Sequence, residues 1–166
     1  MLLSLLSAAA GTSVLAATGG ISVKTPVPYQ VFQRGPTNSA VVQIAGTLDS
    51  PAAKVEARVT SGAGEVVVNW SPLKFSAEQE SFAGELTLPA GGWYGITVRA
   101  LDAQGAATAE TSVERIGVGE VFVCAGQSNA ANAGETKTRA ESDLVSSFDG
   151  SSWSHCEDPQ RGANGE

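Results

Sequence analysis

Ser128 is the residue of this sequence best placed to do covalent chemistry. It follows an unbroken apolar run, Val121 to Ala125, and stands in the order Gly126-Gln127-Ser128-Asn129. A serine hydroxyl is a weak nucleophile at neutral pH, so it needs a base within reach and backbone donors for the oxyanion that attack creates. A strand that ends in a tight turn and enters a helix meets part of that need. The strand fixes Oγ, Gly126 permits the turn, and the helix N-terminus aims N–H groups at developing negative charge. The plainer reading of the same residues is a Gly-Ser turn after a strand.

Other reactive side chains are sparse. His155 is the single histidine and has Ser152, not an aspartate, three residues before it, so it reads as a loop residue rather than a base. Glu157 and Asp158 beside it read as solvated charges. Two cysteines, Cys124 and Cys156, without a CxxC pair fit no metal pattern. Cys124 reads as a small buried hydrophobe, and pairing with Cys156 is open to an exported chain. No metal or other cofactor is implied.

The elements that must position Ser128 fall into two grammars. From Ile21 to Arg115 the sequence reads as successive short strands. In 54–60, Val55, Ala57 and Val59 alternate with Lys54, Glu56 and Arg58, and in 40–48, Val42, Ile44 and Leu48 share a side. Phe82, Leu86 and Leu88 follow the same rule before Pro89 and Gly91-Gly92 interrupt, and Asp102 to Gly105 reads as a hairpin turn. About seven strands over 19–115 with no helical period predict an immunoglobulin-like antiparallel β-sandwich. Trp70, Trp93 and Tyr94 in it are either buried anchors or a sugar-stacking surface. Asn69-Trp70-Ser71 matches the glycosylation triplet, a pattern frequent by chance.

At Ile116 the grammar changes. Residues 116–125 form a nearly continuous apolar run, which predicts a strand buried on both faces, as in a parallel sheet covered by helices. In 116–166 little else is periodic, apart from 145–153, where Asp149-Gly150 predicts a small hairpin. The α/β-hydrolase elbow, G-x-S-x-G, follows several α/β units, whereas everything upstream of Ser128 reads as all-β, which argues against that fold.

The block GVGEVFVCAGQSNAANAGE, Gly117 to Glu135, resembles the first motif of the SGNH-hydrolase esterases, in the branch of sialate O-acetylesterases and related carbohydrate acetylesterases. Residues 21–35 resemble the start of the β-sandwich that precedes the catalytic domain in some of these proteins, and 148–165 resemble the loop before their next helix. The GQSN block is the specific part. The resemblance implies a mainly-β chain whose sandwich is followed by the truncated start of an α/β, flavodoxin-like SGNH domain over 116–166. It implies Ser128 as nucleophile, with its backbone N–H as an oxyanion donor and with Gly126, Gln127 and Asn129 supporting the elbow. The substrate would be an acylated carbohydrate such as an O-acetylated sialic acid. The family's Asp-x-x-His block is absent, and a parallel sheet of about five strands takes at least about thirty residues per βαβ unit. The expectation is therefore the N-terminal part of a longer serine esterase, inactive by itself. The alternative is a non-catalytic β-sandwich module that binds carbohydrate or orients a neighbouring domain.

Charge and hydropathy bound the partners. Ten basic against seventeen acidic residues leave a formal net charge of -7 with no Lys/Arg cluster, which argues against nucleic acid. Residues 1–17 are apolar and small, too short to span a bilayer, and end in small residues; they read as a secretory leader, although no Lys or Arg precedes the run. With 1–18 as a leader the chain would be secreted or periplasmic; a linker is the other reading. No other run is long enough to cross a membrane.

Overall fold

The computed structural model describes residues 20–126 and 136–158. Ten strands are formed: β1 (Ile21–Thr25), β2 (Val31–Gln33), β3 (Ser39–Leu48), β4 (Lys54–Ser61), β5 (Val66–Ser76), β6 (Ser81–Pro89), β7 (Trp93–Leu101), β8 (Ala107–Gly119), β9 (Ser146–Phe148) and β10 (Trp153–His155). No helix occurs among the described residues. The leader-like stretch lies outside them.

Alternation in the sequence becomes two-sidedness in the fold. Val42, Ile44 and Leu48 of β3, Val55, Ala57 and Val59 of β4, and Ile96, Val98 and Ala100 of β7 are buried together with Phe82, Leu88 and Ile116. These side chains fill the space between two halves of a sheet that curls over on itself. The strand order is β1-β3-β6-β5-β4-β7-β8-β2, antiparallel throughout except for β2 beside β8. The expected sandwich of two separate sheets is therefore corrected to one continuous, eight-stranded curled sheet. The reason lies in β5, which pairs with β4 through Val66 to Leu73 and then with β6 through Lys74 to Ser76, carrying the hydrogen bonding from one half to the other.

Tight turns are set by residues that the backbone demands. Asp102 Oδ1 accepts from the N–H groups of Gln104 (2.9 Å) and Ala106 (2.8 Å), and Gly105 takes φ 85° to close the β7–β8 hairpin. Between β6 and β7, Gly91 and Gly92 have φ 130° and 72°, and the buried Tyr94 reaches back so that its hydroxyl donates to the Pro89 carbonyl at 2.7 Å. Burial raises the Tyr94 pKa, so the phenol stays protonated as that bond requires.

The second expected domain start is also corrected. Ile116 and Val118 are buried, but as the end of β8 in the curled sheet, paired to β7 and β2. Beyond Gly119 the chain leaves the sheet. Val121 to Ala125 form no strand and are exposed, with Phe122 82% and Val123 89% accessible, so the predicted doubly buried parallel strand is not formed. A continuous apolar run meets the composition of such a strand, yet the end of β8 from which it departs is already flanked by β7 and β2.

Candidate functional site

Most of the sequence-derived site lies outside the described residues. Gly126 is exposed and in irregular chain, while Gln127, Ser128 and Asn129 lie outside the described residues. Cys124 is exposed rather than buried, and no disulfide joins it to Cys156. Among the described residues no group of three or more His, Cys, Asp or Glu is placed to hold a metal ion, and no helix is long and apolar enough to cross a membrane.

His155 is the reactive side chain that the structure does give a setting. It is not a loop residue but the last residue of β10, half-buried, with Nε2 3.8 Å from Asp143 Oδ1. That distance is too long for a hydrogen bond, so Asp143 does not orient the imidazole as a catalytic carboxylate does. The two residues line a shallow cleft of about 360 Å³ with Tyr29, Arg139, Glu141 and Glu157. Among the described residues no Ser, Thr or Cys lines it. Asp158 is not a free loop charge either: it accepts from Thr138 N–H at 2.9 Å and Thr138 Oγ1 at 3.1 Å.

What the cleft borders is a clamp between the curled sheet and the segment after it. Its sheet side is built at a bulge. Register slips between Tyr94/Ile116 and Ile96/Val113, placing one extra residue in β8, and Arg115 there takes φ 61°. A bulge re-aims side chains. Arg115 Nη1 pairs with Asp143 Oδ2 at 2.8 Å, and its guanidinium lies 5.3 Å from the centre of the Tyr29 ring. The Arg115 carbonyl accepts from Tyr29 N–H at 2.9 Å, tying the β1–β2 connection to the same bulge.

Trp93 completes the clamp. It opens β7 opposite Gly117, whose missing side chain leaves room for the indole: a Cβ there would come within 3.0 Å of the ring. Tyr29 packs edge-on at 5.9 Å, and Nε1 donates across fifty residues of sequence to the Asp143 carbonyl at 2.9 Å. Asp143 is thus held twice, through its backbone by Trp93 and through its carboxylate by Arg115. Around it the tail closes on itself: β9 and β10 form an antiparallel hairpin with Phe148 and Trp153 rings 5.1 Å apart, and Cys156 N–H donates to the Val145 carbonyl at 3.0 Å.

The other aromatic cluster is on the outer side of β4, β5 and β7. Trp70 lies under the guanidinium groups of Arg99, 3.8 Å from the ring centre, and Arg58, 4.8 Å. Arg99 and Lys54 both pair with Glu56, which is only 6% accessible although it faces away from the core. Their hydrogen bonds and charges hold the Glu56 carboxyl below its ordinary pKa. Sequence reasoning offered Trp70, Trp93 and Tyr94 as one sugar-stacking surface. The structure separates them and commits each: Tyr94 to the core, Trp93 to Asp143, Trp70 to two arginines. Tyr29, Arg115 and Asp143 were not foreseen as site residues, because neither periodicity nor motif marks a clamp made across such separations.

Comparison with known proteins gives a fold likeness only. No family model matches the chain, and no curated protein matches it. Among solved structures it is similar to the fibronectin(III)-like modules of Clostridium thermocellum CbhA, with 22% identity, a TM-score of 0.44, and coverage of 62% of this chain and 100% of that one. The structure of the chain itself corrects the resemblance to SGNH-hydrolase esterases, and with it the reading as a hydrolase that removes O-acetyl groups from carbohydrate. The described residues hold no α/β layer, the run before Ser128 is neither strand nor buried, and 116–119 belong to β8.

Proposed function

We propose that this chain is a non-catalytic all-β module whose task is to hold the segment that follows it in one orientation. The observation that carries the reading is the double grip on Asp143: Trp93 Nε1 on its carbonyl and Arg115 on its carboxylate. A segment leaving a sheet through an exposed, irregular stretch has no reason to return to that sheet unless something fixes it. Here one solvent-exposed ion pair, worth up to about 1 kcal/mol, and one indole hydrogen bond, worth about 0.5–1.5 kcal/mol, do so together. The tail's own hairpin then inherits the orientation of Asp143, three residues before β9. Glycan binding draws no support from Trp70, Trp93 and Tyr94, since each is engaged within the protein.

The test is amide hydrogen exchange in the Trp93→Phe/Arg115→Gln double variant. Exchange in β9 and β10 is expected to rise roughly tenfold or more while β3, β4 and β7 keep their protection. Unchanged exchange in 146–155 would refute the orienting role.

A further inference from the structure

Strand β5 carries an open edge. It pairs with β4 along Val66 to Leu73 but with β6 only at Lys74 to Ser76, so from Val66 to Ser71 one side of the strand meets no other strand among the described residues. The sequence there is Val66-Val67-Val68-Asn69-Trp70, rich in strand formers, and Val66 and Val67 are 57% and 38% accessible. An edge of this kind is a template on which another chain can add a strand, and folded proteins interrupt such edges with bulges, proline or charge.

Two interruptions are built into β5. Its register against β4 slips twice, from Val66/Thr60 to Val68/Val59 and from Val68/Val59 to Ser71/Ala57, each time with an extra residue on β5. At the second bulge Asn69 and Trp70 have no register partner on β4, and the peptide group between them is engaged by side chains of the same short stretch. Asn69 Oδ1 accepts from Trp70 N–H at 2.8 Å, and Ser71 Oγ donates to the Asn69 carbonyl at 3.0 Å. Pro72 follows with no N–H to offer.

We propose that Asn69-Trp70-Ser71 is an edge plug: the Asn69 and Ser71 side chains engage the N–H and the C=O of the one peptide between Asn69 and Trp70, which point to opposite sides of the strand, so whichever of them faces the open edge is already taken and hinders β5 from pairing with β5 of a second copy of this chain. The triplet that matches a glycosylation signal in the sequence thus has a use in the bare polypeptide. Trp70 adds to it by lying under Arg58 and Arg99, which holds the bulged residue against the sheet. A second copy is the partner blocked, because an identical strand brings the same apolar valines and a matching open edge.

Sedimentation velocity of the full chain over a wide concentration range tests this, with folding of each variant checked by circular dichroism and thermal melting. Asn69→Ala/Ser71→Ala is expected to self-associate at least about tenfold more tightly than the unaltered chain. Asn69→Asp/Ser71→Thr, which keeps the acceptor and the hydroxyl donor, is expected to behave as the unaltered chain. Adding Val67→Pro to the alanine pair is expected to abolish the association. A folded alanine pair that sediments like the unaltered chain would overturn the proposal, as would association that Val67→Pro leaves intact. If the alanine pair does not fold, Ser71→Ala alone removes one of the two bonds and is read by the same criteria.

Discussion

Glu56 shows how far a single residue can depart from what its alternation implies. In β4 it takes a solvent-side position, yet Lys54, Arg99 and the Trp70 cluster cover it almost completely. A covered carboxylate stays ionised only while its partners remain, and the partners here lower its pKa from the ordinary 4.5. A depressed folded-state value means that the stabilisation is fully present above about pH 4.5 and is lost as the pH falls through the folded-state pKa. Glu56→Gln is therefore expected to lower stability by roughly 1–3 kcal/mol at neutral pH. The gap to the unaltered chain should close in acid. Denaturant melts at several pH values check this, and a gap that is constant with pH would exclude the carboxylate as its source.

At the scale of elements, the turns were more legible than what joined them. Asp102 to Gly105 and Asp149-Gly150 announce their hairpins because the backbone at those points admits few residues. Asp149 accepts from the N–H groups of Ser151 (2.8 Å) and Ser152 (2.7 Å) and from both hydroxyls, which holds its carboxyl far below the usual carboxylate range. Asp149→Ala removes these acceptors at once, and the β9–β10 amides are expected to exchange several-fold faster with the β3–β8 core unaffected; protection retained in 153–155 would show that Trp153 stacking suffices. The run 121–125 was misread for a physical reason. Apolar composition states that a strand can be buried on both faces, but not that a neighbouring strand is there to receive it. Likewise, no residue pattern marks the point between Leu73 and Lys74 at which β5 passes from β4 to β6. The clamp was illegible too, since Tyr29, Arg115 and Asp143 meet only after β8 has bulged.

The whole molecule is tied at its seams. Since β5 belongs to both halves, neither half keeps its hydrogen bonding when the other opens, and a single cooperative unfolding transition of 20–119 follows. At the opposite seam β2, the last strand of the sheet, lies parallel to β8, from which the chain departs. Once β1 has left β3 and the hold on Asp143 has released, tension applied at the two chain ends runs along these neighbours in opposite directions, loading Val31–Gln33 and Gly117–Gly119 side by side in shear instead of peeling them apart bond by bond. Stretching single molecules should accordingly reveal a high rupture force at this contact, and Phe32→Pro, which deletes an N–H from it, should lower that force. If the proposed orienting role holds, the same fold would also bear mechanical load through this contact.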